Sequence, residues 1–309
     1  RENGQGGNVH GSVRFTDRFR SRVFIWRTKS CDSEQSMIAK EISGLSAISE
    51  SYEIFILDLW GTIYDGQALF PEIKTLLEQL KERDKTIIFL SNSPQLPNVV
   101  YQRLERLGLS TLHYDHLVTS GGETNWQLAN MELKEFSIFN GKVFQIGPNR
   151  FPDTLPQDKF INAEKLSEAE WILNAGPDAE DNQLDDYKEL LIIAQKRDLP
   201  MLCANPDKMV FHGKEKHLCA GGIAEYYQTI GGYVISVGKP YPKVFERCMN
   251  FAAPEKKNKA IMIGDNLETD ILGANRFGIH SMLIASGVHE LFNPIESIIL
   301  QDKLNELEK

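Results

Sequence analysis

Ile54-Phe55-Ile56-Leu57-Asp58-Leu59-Trp60-Gly61-Thr62 is an apolar run that delivers one carboxylate and then turns at Gly-Thr. Continuous apolarity over a strand's length marks a strand buried on both faces, the habit of parallel sheets, whose carboxyl ends are where open α/β folds bind ligands. Asp58 is therefore the candidate nucleophile, and Gly61 and Thr62 are candidates to offer backbone amides to an anion. Two residues past the aspartate stands Trp60. Its indole gives up no proton at ordinary pH, where a second carboxylate would have served as an acid.

Outward from this strand the chain alternates strands and helices. Pro71 at a first helical position opens a helix carrying Ile73, Leu76, Leu77 and Leu80 at helical spacing. Thr86 to Leu90 reads as another buried strand, ending in Ser91-Asn92-Ser93-Pro94, and the next helix carries Val99, Val100, Leu104 and Leu107 up to Gly108. A second rhythm begins near residue 119, with strand-like runs at 143–146, 171–173 and 200–203 and helical stretches at 185–197 and 220–230. The first rhythm resumes at 234–237, passes Gly238-Lys239-Pro240, and runs through Ala260-Ile261-Met262-Ile263 into Gly264-Asp265-Asn266-Leu267-Glu268-Thr269-Asp270. The expected organisation is a disordered tail over 1–44, a core over 45–118 and 234–295, an inserted α/β domain over 119–233, and a polar C-terminal helix over 296–309.

Residues 1–36 are rich in Arg, Gly and Ser and lack hydrophobic periodicity, so they are expected to be disordered. Arg14, Arg18, Arg20, Arg22 and Arg27 among Phe15, Phe19 and Phe24 suggest a transit peptide or basic arm. The favoured reading places the natural start at Met37. The formal charge of −9 argues against general nucleic-acid binding, and no apolar run is long enough to span a bilayer. Cys31, Cys203, Cys219 and Cys248 lack metal spacing, which favours reduced thiols in a cytoplasmic protein and ordinary packing for Cys203 and Cys219. The histidines, His217 included, have no metal spacing either, and are read as surface or core.

Three strand ends deliver polar groups in chain order: Asp58, then Ser91-Asn92, then Asp265-Asn266 with Asp270. Lys239 opens the helix before the last of them. In a doubly wound sheet such ends lie along one edge, so residues far apart in sequence converge. Asp58 with Asp265 can hold Mg²⁺ through hard oxygens, Ser91 can hydrogen-bond a phosphoryl oxygen, and Lys239 can neutralise charge between nucleophile and phosphate.

The ordered set DLWGT, LSNS, VGKP and GDNLETD resembles the four motifs of the haloacid dehalogenase (HAD) superfamily. The insert's position, with CANPDK and LCAGGIAEYYQTIGG leading into VGKP, is similar to the class IIA branch, which includes NagD-like and pyridoxal-phosphate phosphatases. The resemblance spans roughly 50–290 and implies a doubly wound parallel-sheet α/β core with an α/β cap domain, acting on a small phosphorylated metabolite. It further implies that Asp58 forms an aspartyl-phosphate and that the backbone carbonyl of Trp60 and Asp265 complete the Mg²⁺ ligands. Asn266 and Asp270 would stand behind them, Asp270 orienting the metal's waters or Lys239, and Asn92 would lend its backbone N–H to the phosphate. Cap residues Asn205 and Asp207 are substrate candidates, although Asn-Pro-Asp is also turn chemistry. Caps of the related branch often pair, so a homodimer through the cap is open.

Trp60 departs from the family pattern. Loss of the usual aspartate there should cost about 10²-fold to 10⁴-fold in rate, least for substrates with good leaving groups. Asp65 is near enough in sequence to act as a base, but Tyr64-Asp65-Gly66 reads better as a turn. Two alternatives stay open: a phospho-ligand binder that does not turn over, and a haloacid dehalogenase, which needs no leaving-group proton but also no GDNLETD acidic pair.

Overall fold

The computed structural model describes residues 23–26, 40–42, 44–156, 158–212, 215–284 and 306. Its first sheet is built around β3 (Ile54–Leu57), all four residues of which are buried. β13 (Ala260–Gly264) and β4 (Thr86–Ser91) flank β3 in parallel, with Ile263 and Phe89 both in register with Leu57. β5 (His116–Thr119) continues in parallel beyond β4, and β14 (His280–Ile284) beyond β13.

Alternation along β3 sorts its side chains to opposite faces. Phe55 and Leu57 join Ile87 and Phe89 under α1 (Ile73–Lys81) and α2 (Pro97–Arg106), meeting Leu76, Leu77, Leu80, Val100 and Leu104. Ile54 and Ile56 join Ile88 and Leu90 under α6 (Pro242–Phe251) and α7 (Leu272–Phe277), meeting Val244, Phe245, Cys248 and Ala274. Helices on both faces make the apolar strands affordable in water. The chain leaves β3 toward β4 on one side and returns to β13 on the other, so Asp58 sits where the strand order reverses.

The insert has its own parallel sheet, ordered β12 (Val234–Ser236), β9 (Met201–Cys203), β8 (Trp171–Asn174), β6 (Lys142–Ile146) and β7 (Ile161–Asn162). One face packs on α4 (Lys188–Lys196) and α5 (Ala220–Thr229), the other on Phe136, Phe139, Leu155 and Leu128 of α3 (Ser120–Asn130). An antiparallel hairpin, β10 (Met209–His212) with β11 (Glu215–Leu218), completes it.

Three expectations need correction. The tail was expected to be disordered through residue 44, yet β1 (Val23–Trp26) pairs antiparallel with β14, and β2 (Lys40–Ile42) with β1. Strands of three or four residues at the sheet margin, with a buried residue such as Ile25, leave little periodic trace in an Arg-rich stretch. Residues 234–236 were assigned to the core, but they form the edge of the cap sheet beside Met201–Cys203, so the core resumes only after them. Pro71 does not occupy the first helical turn of α1: Glu72, at φ 64°, is the N-cap and the helix starts at Ile73. The expected C-terminal helix over 296–309, apart from Glu306, and residues 1–22 and 27–39 lie outside the described residues. Among those described, no helix is long and apolar enough to cross a membrane.

Candidate active site

Asp58 leaves β3 with its amide still donating to the Ile263 carbonyl at 2.9 Å, so the sheet itself aims its carboxylate. Asp265 follows β13 directly. Asp270 is reached through a π-type turn, Leu267–Ile271, in which one extra residue per turn rotates it back toward the strand end. The three buried carboxylates bring ligand oxygens within 4.8 Å of one another. Lys239, 2% exposed, brings its ammonium to two of them. It pairs with Asp58, lies 2.7 Å from Asp270 and donates to the Leu90 carbonyl at 3.1 Å.

Burial pushes the Asp58 carboxyl well above the usual range, Lys239 opposes this, and Asp270 and Asp265 push it further up. Burial alone would lower Lys239, but Asp270, Asp58 and Asp207 outweigh it and hold the ammonium charged. Three clustered carboxylates and one ammonium leave a formal charge of −2, which one divalent cation would balance. All-oxygen carboxylate donors suit a hard ion such as Mg²⁺, so the residues present fit the metal that the sequence implies.

Two backbone positions keep this cluster tight. A Cβ on Gly61 would lie 2.1 Å from Asp265 Oδ2, so the 60–61 peptide, to which the Trp60 carbonyl belongs, runs against the carboxylates. A Cβ on Gly264 would lie 2.1 Å from Asp270 Oδ2 and 2.6 Å from its Cβ. Gly264→Ala is therefore expected to displace Asp270 and weaken divalent-cation binding by about tenfold or more, as outer groups that orient ligands typically do. Isothermal calorimetry with Mg²⁺ would measure this, and unchanged affinity would contradict the packing argument.

Asn92 does more than its sequence position suggests. Its Oδ1 accepts from the Lys239 amide at 2.7 Å and from Ser120 Oγ at 3.2 Å, while Nδ2 donates to the Lys239 carbonyl at 3.0 Å and to Asp207 Oδ1 at 2.8 Å. The side chain thus fixes the backbone that aims Lys239 and ties it to the cap. The Asn92 amide has no backbone partner among the described residues, as a phosphate donor requires. Ser91 Oγ accepts from the Ser93 amide at 3.1 Å, and Ser91 lines the cavity between core and cap.

Other predicted roles change. Gly61 and Thr62 do not offer amides to an anion: Gly61 N–H is spent on the Tyr64 carbonyl at 2.9 Å and Thr62 N–H on Leu59 at 3.3 Å, because the chain must close a tight turn. Asn266 Oδ1 caps the turn it opens by accepting from the Glu268 amide at 2.9 Å, and its own amide donates to Asp270 Oδ2 at 3.1 Å. Asn205 Oδ1 accepts from the Asp207 amide at 3.0 Å, which is turn chemistry, yet both residues line the cavity. Burial raises Asp207 above the usual carboxylate range, with Lys239 and Asn92 opposing. Asp65 is the turn residue that the sequence favoured: exposed, with Oδ1 accepting from the Gln67 and Ala68 amides at 2.9 Å each. Burial pushes the Cys203 thiol up to about 12 and raises Cys219 as well, consistent with packing roles.

Trp60 lines a cavity of about 480 Å³ walled by residues of both core and cap. Its indole rests over Gly66, where a Cβ would come within 2.5 Å of the ring at φ 98°, and meets the Tyr64 ring at 5.2 Å between centroids. Tyr64, Arg103, Arg150, Phe151 and His217 also line the cavity, and the sequence reading assigned none of them to the site. Arg103 falls between Val100 and Leu104 on the inward side of α2, a signal that was present but marked no destination.

The sequence pattern of the family described as haloacid dehalogenase-like hydrolase matches residues 55–160, and that of HAD-hydrolase-like proteins matches 236–293. Chronophin of Bos taurus is 27% identical over 268 residues, covering 76% of this chain and 82% of its own. A crystal structure of a haloacid dehalogenase-like hydrolase from Brucella suis is 30% identical, with a TM-score of 0.72 over 79% of this chain and 93% of that one. A glycerol phosphate phosphatase from Mycobacterium tuberculosis, solved in complex with magnesium, shares the fold at 20% identity and a TM-score of 0.58, over 75% of this chain and 68% of its own.

Proposed function

Because this chain belongs to the haloacid dehalogenase-like hydrolases, class IIA branch, we propose that it hydrolyses a small phosphorylated metabolite through Asp58 with the help of Mg²⁺. The observation that carries this reading is the convergence of the Asp58, Asp265 and Asp270 carboxylates, two of which, Asp58 and Asp270, pair with the Lys239 ammonium. Chronophin and the phosphoglycolate phosphatases of Arabidopsis thaliana, by their names, support phosphate ester chemistry. Mg²⁺ would be held by Asp58, Asp265 and the Trp60 carbonyl with Asp270 behind them, and would supply charge neutralisation at the phosphoryl oxygens.

An Asp58 oxygen attacks phosphorus and the bond to the leaving oxygen breaks with its electron pair on that oxygen. Lys239 screens the nucleophile from the anionic phosphoryl group, while Ser91 and the Asn92 amide hold its oxygens. The cap excludes bulk water. Water then attacks the aspartyl-phosphate, loses a proton to solvent, and returns the Asp58 carboxylate with inorganic phosphate. No carboxylate stands at position 60 to protonate the leaving oxygen, so substrates whose leaving group departs as a stable anion are favoured: aryl phosphates, acyl phosphates and anhydrides.

The test is Mg²⁺-dependent phosphate release from an aryl phosphate, acetyl phosphate and an alkyl phosphate. Release from the first two, with much slower release from the third, is expected, and no release from any would leave the second reading. That reading, a protein that binds a phosphorylated ligand without turnover, is favoured by the same indole. Trp60→Asp is expected to raise alkyl phosphate hydrolysis by about 10²-fold or more and aryl phosphate hydrolysis far less. A plot of rate against leaving-group pKa should flatten in the variant, and an equal gain on all substrates would defeat the argument.

A further inference from the structure

We propose that Arg103 recognises a second anionic group, carried on the planar leaving-group portion of an aromatic phosphate ester that lies against Trp60 and Tyr64. The inference rests on the hydrolase reading and names the substrate class of that same site.

Arg103 projects from α2, is half-buried, and lines the cavity of about 480 Å³ together with its two partners. Its Nη2 donates to Gln95 Oε1 at 3.0 Å, and the guanidinium hydrogen-bonds the Tyr64 phenol. Both partners are neutral. Among the described residues no carboxylate pairs with this guanidinium, whereas Arg150, the cavity's other arginine, has Glu180 at 3.5 Å and the Pro177 carbonyl at 3.1 Å. A partly desolvated guanidinium held in place by neutral groups retains donors for a carboxylate or phosphate, which it can meet in a fork. The Lys239 charge is not available for this purpose, being committed to Asp58 and Asp270.

Placement separates the two anionic positions. Tyr64 and Arg103 line the same cavity as Ser91, on the phosphate side, and Gln95, which holds the guanidinium. The cavity reaches Ser91, which would hold the phosphoryl group, and Trp60, two residues past the nucleophile, and its volume falls within the range of about 300–1,000 Å³ typical of sites for whole small molecules. That room is walled by the rings of Trp60, Tyr64 and Phe151. Flat apolar walls suit a ring, and a ring-bound oxygen departs without the acid that Trp60 replaced. One substitution thus accounts for both the missing proton and the new wall.

Two isosteric probes test this: 4-carboxyphenyl phosphate and 4-carbamoylphenyl phosphate, one anionic and one neutral at the far end. The wild-type protein with Mg²⁺ is expected to prefer the carboxylate by about 10-fold to 100-fold, expressed mainly in KM. In Arg103→Met the ratio should collapse to about one, and in Arg103→Lys it should fall between. Dissociation constants of the same two probes, measured by calorimetry on Asp58→Asn and on Asp58→Asn with Arg103→Met, should show the same pattern without turnover. If neither ester is hydrolysed, the hydrolase reading falls while the binding ratio still decides the role of Arg103. No preference in the parent proteins, a ratio that survives Arg103→Met, or an equal loss for both probes would overturn the assignment, the last by placing Arg103 at the transferred phosphate.

Discussion

Asp58→Asn is expected to reduce phosphate release from aryl and acyl phosphates on the order of 10⁴-fold or more, to the background of the buffer, as removal of a covalent nucleophile does. The amide retains the size of the carboxylate and can still accept from Lys239, so the backbone that aims it should be unchanged. It also removes repulsion from Asp265 and Asp270. The metal-free variant should therefore melt within about 3 °C of the parent, the shift that about 1 kcal/mol brings in a chain of this size. Its Mg²⁺-induced stabilisation should shrink, because a ligand is lost. The parent protein should show a burst of product and an acid-stable phosphoryl label, since no carboxylate at position 60 serves the second step. Hydrolysis that survives in Asp58→Asn would remove the nucleophile assignment outright.

Lys239→Met is expected to damage both chemistry and folding, and by different routes. Without the ammonium, Asp58, Asp265 and Asp270 remain buried together with no cation between them. Removing one partner of a buried ion pair costs about 3–5 kcal/mol, because the charge left behind stays desolvated. At about 2–4 °C per kcal/mol this is a fall in melting temperature of about 6–20 °C without metal. Saturating Mg²⁺ should recover part of the loss, since the cation supplies the missing positive charge. Turnover should fall by about 10²-fold to 10³-fold even with metal, the scale set by losing one preorganised group at a developing charge. Equal melting temperatures for parent and variant without metal would contradict the burial of the pair.

Much of the site was legible along the chain because its residues are tied to strand ends. Asp58, Ser91-Asn92 and Asp265 each follow an apolar run of recognisable length, and Lys239 and Asp270 stand at motif spacing from them. The same regularity fails at the sheet margins. β1 sits in an Arg-rich stretch, and β12 has only partly buried residues, so neither strand carried a period that named its sheet. β12 pairs with Met201–Cys203 because the cap sheet offers an open edge there, a fact about another segment.

Cavity walls escaped for a related reason. The Asn92 side chain spans 147 residues to Lys239 and 115 to Asp207, and no local pattern announces a contact of that separation. In the sequence Trp60 is an absence, a missing acid; only the packing of its ring on Gly66 and Tyr64 makes it a surface. The sequence by itself determined the family, the doubly wound core with its inserted cap, and the carboxylates and lysine of the reacting centre, because each is encoded by a short run and its neighbours. Tertiary structure alone decided which sheet claims an edge strand, which turn amides are already spent, and that Arg103 faces the cavity without an acidic partner among the described residues. Those properties belong to the meeting of two surfaces, and folding creates that meeting.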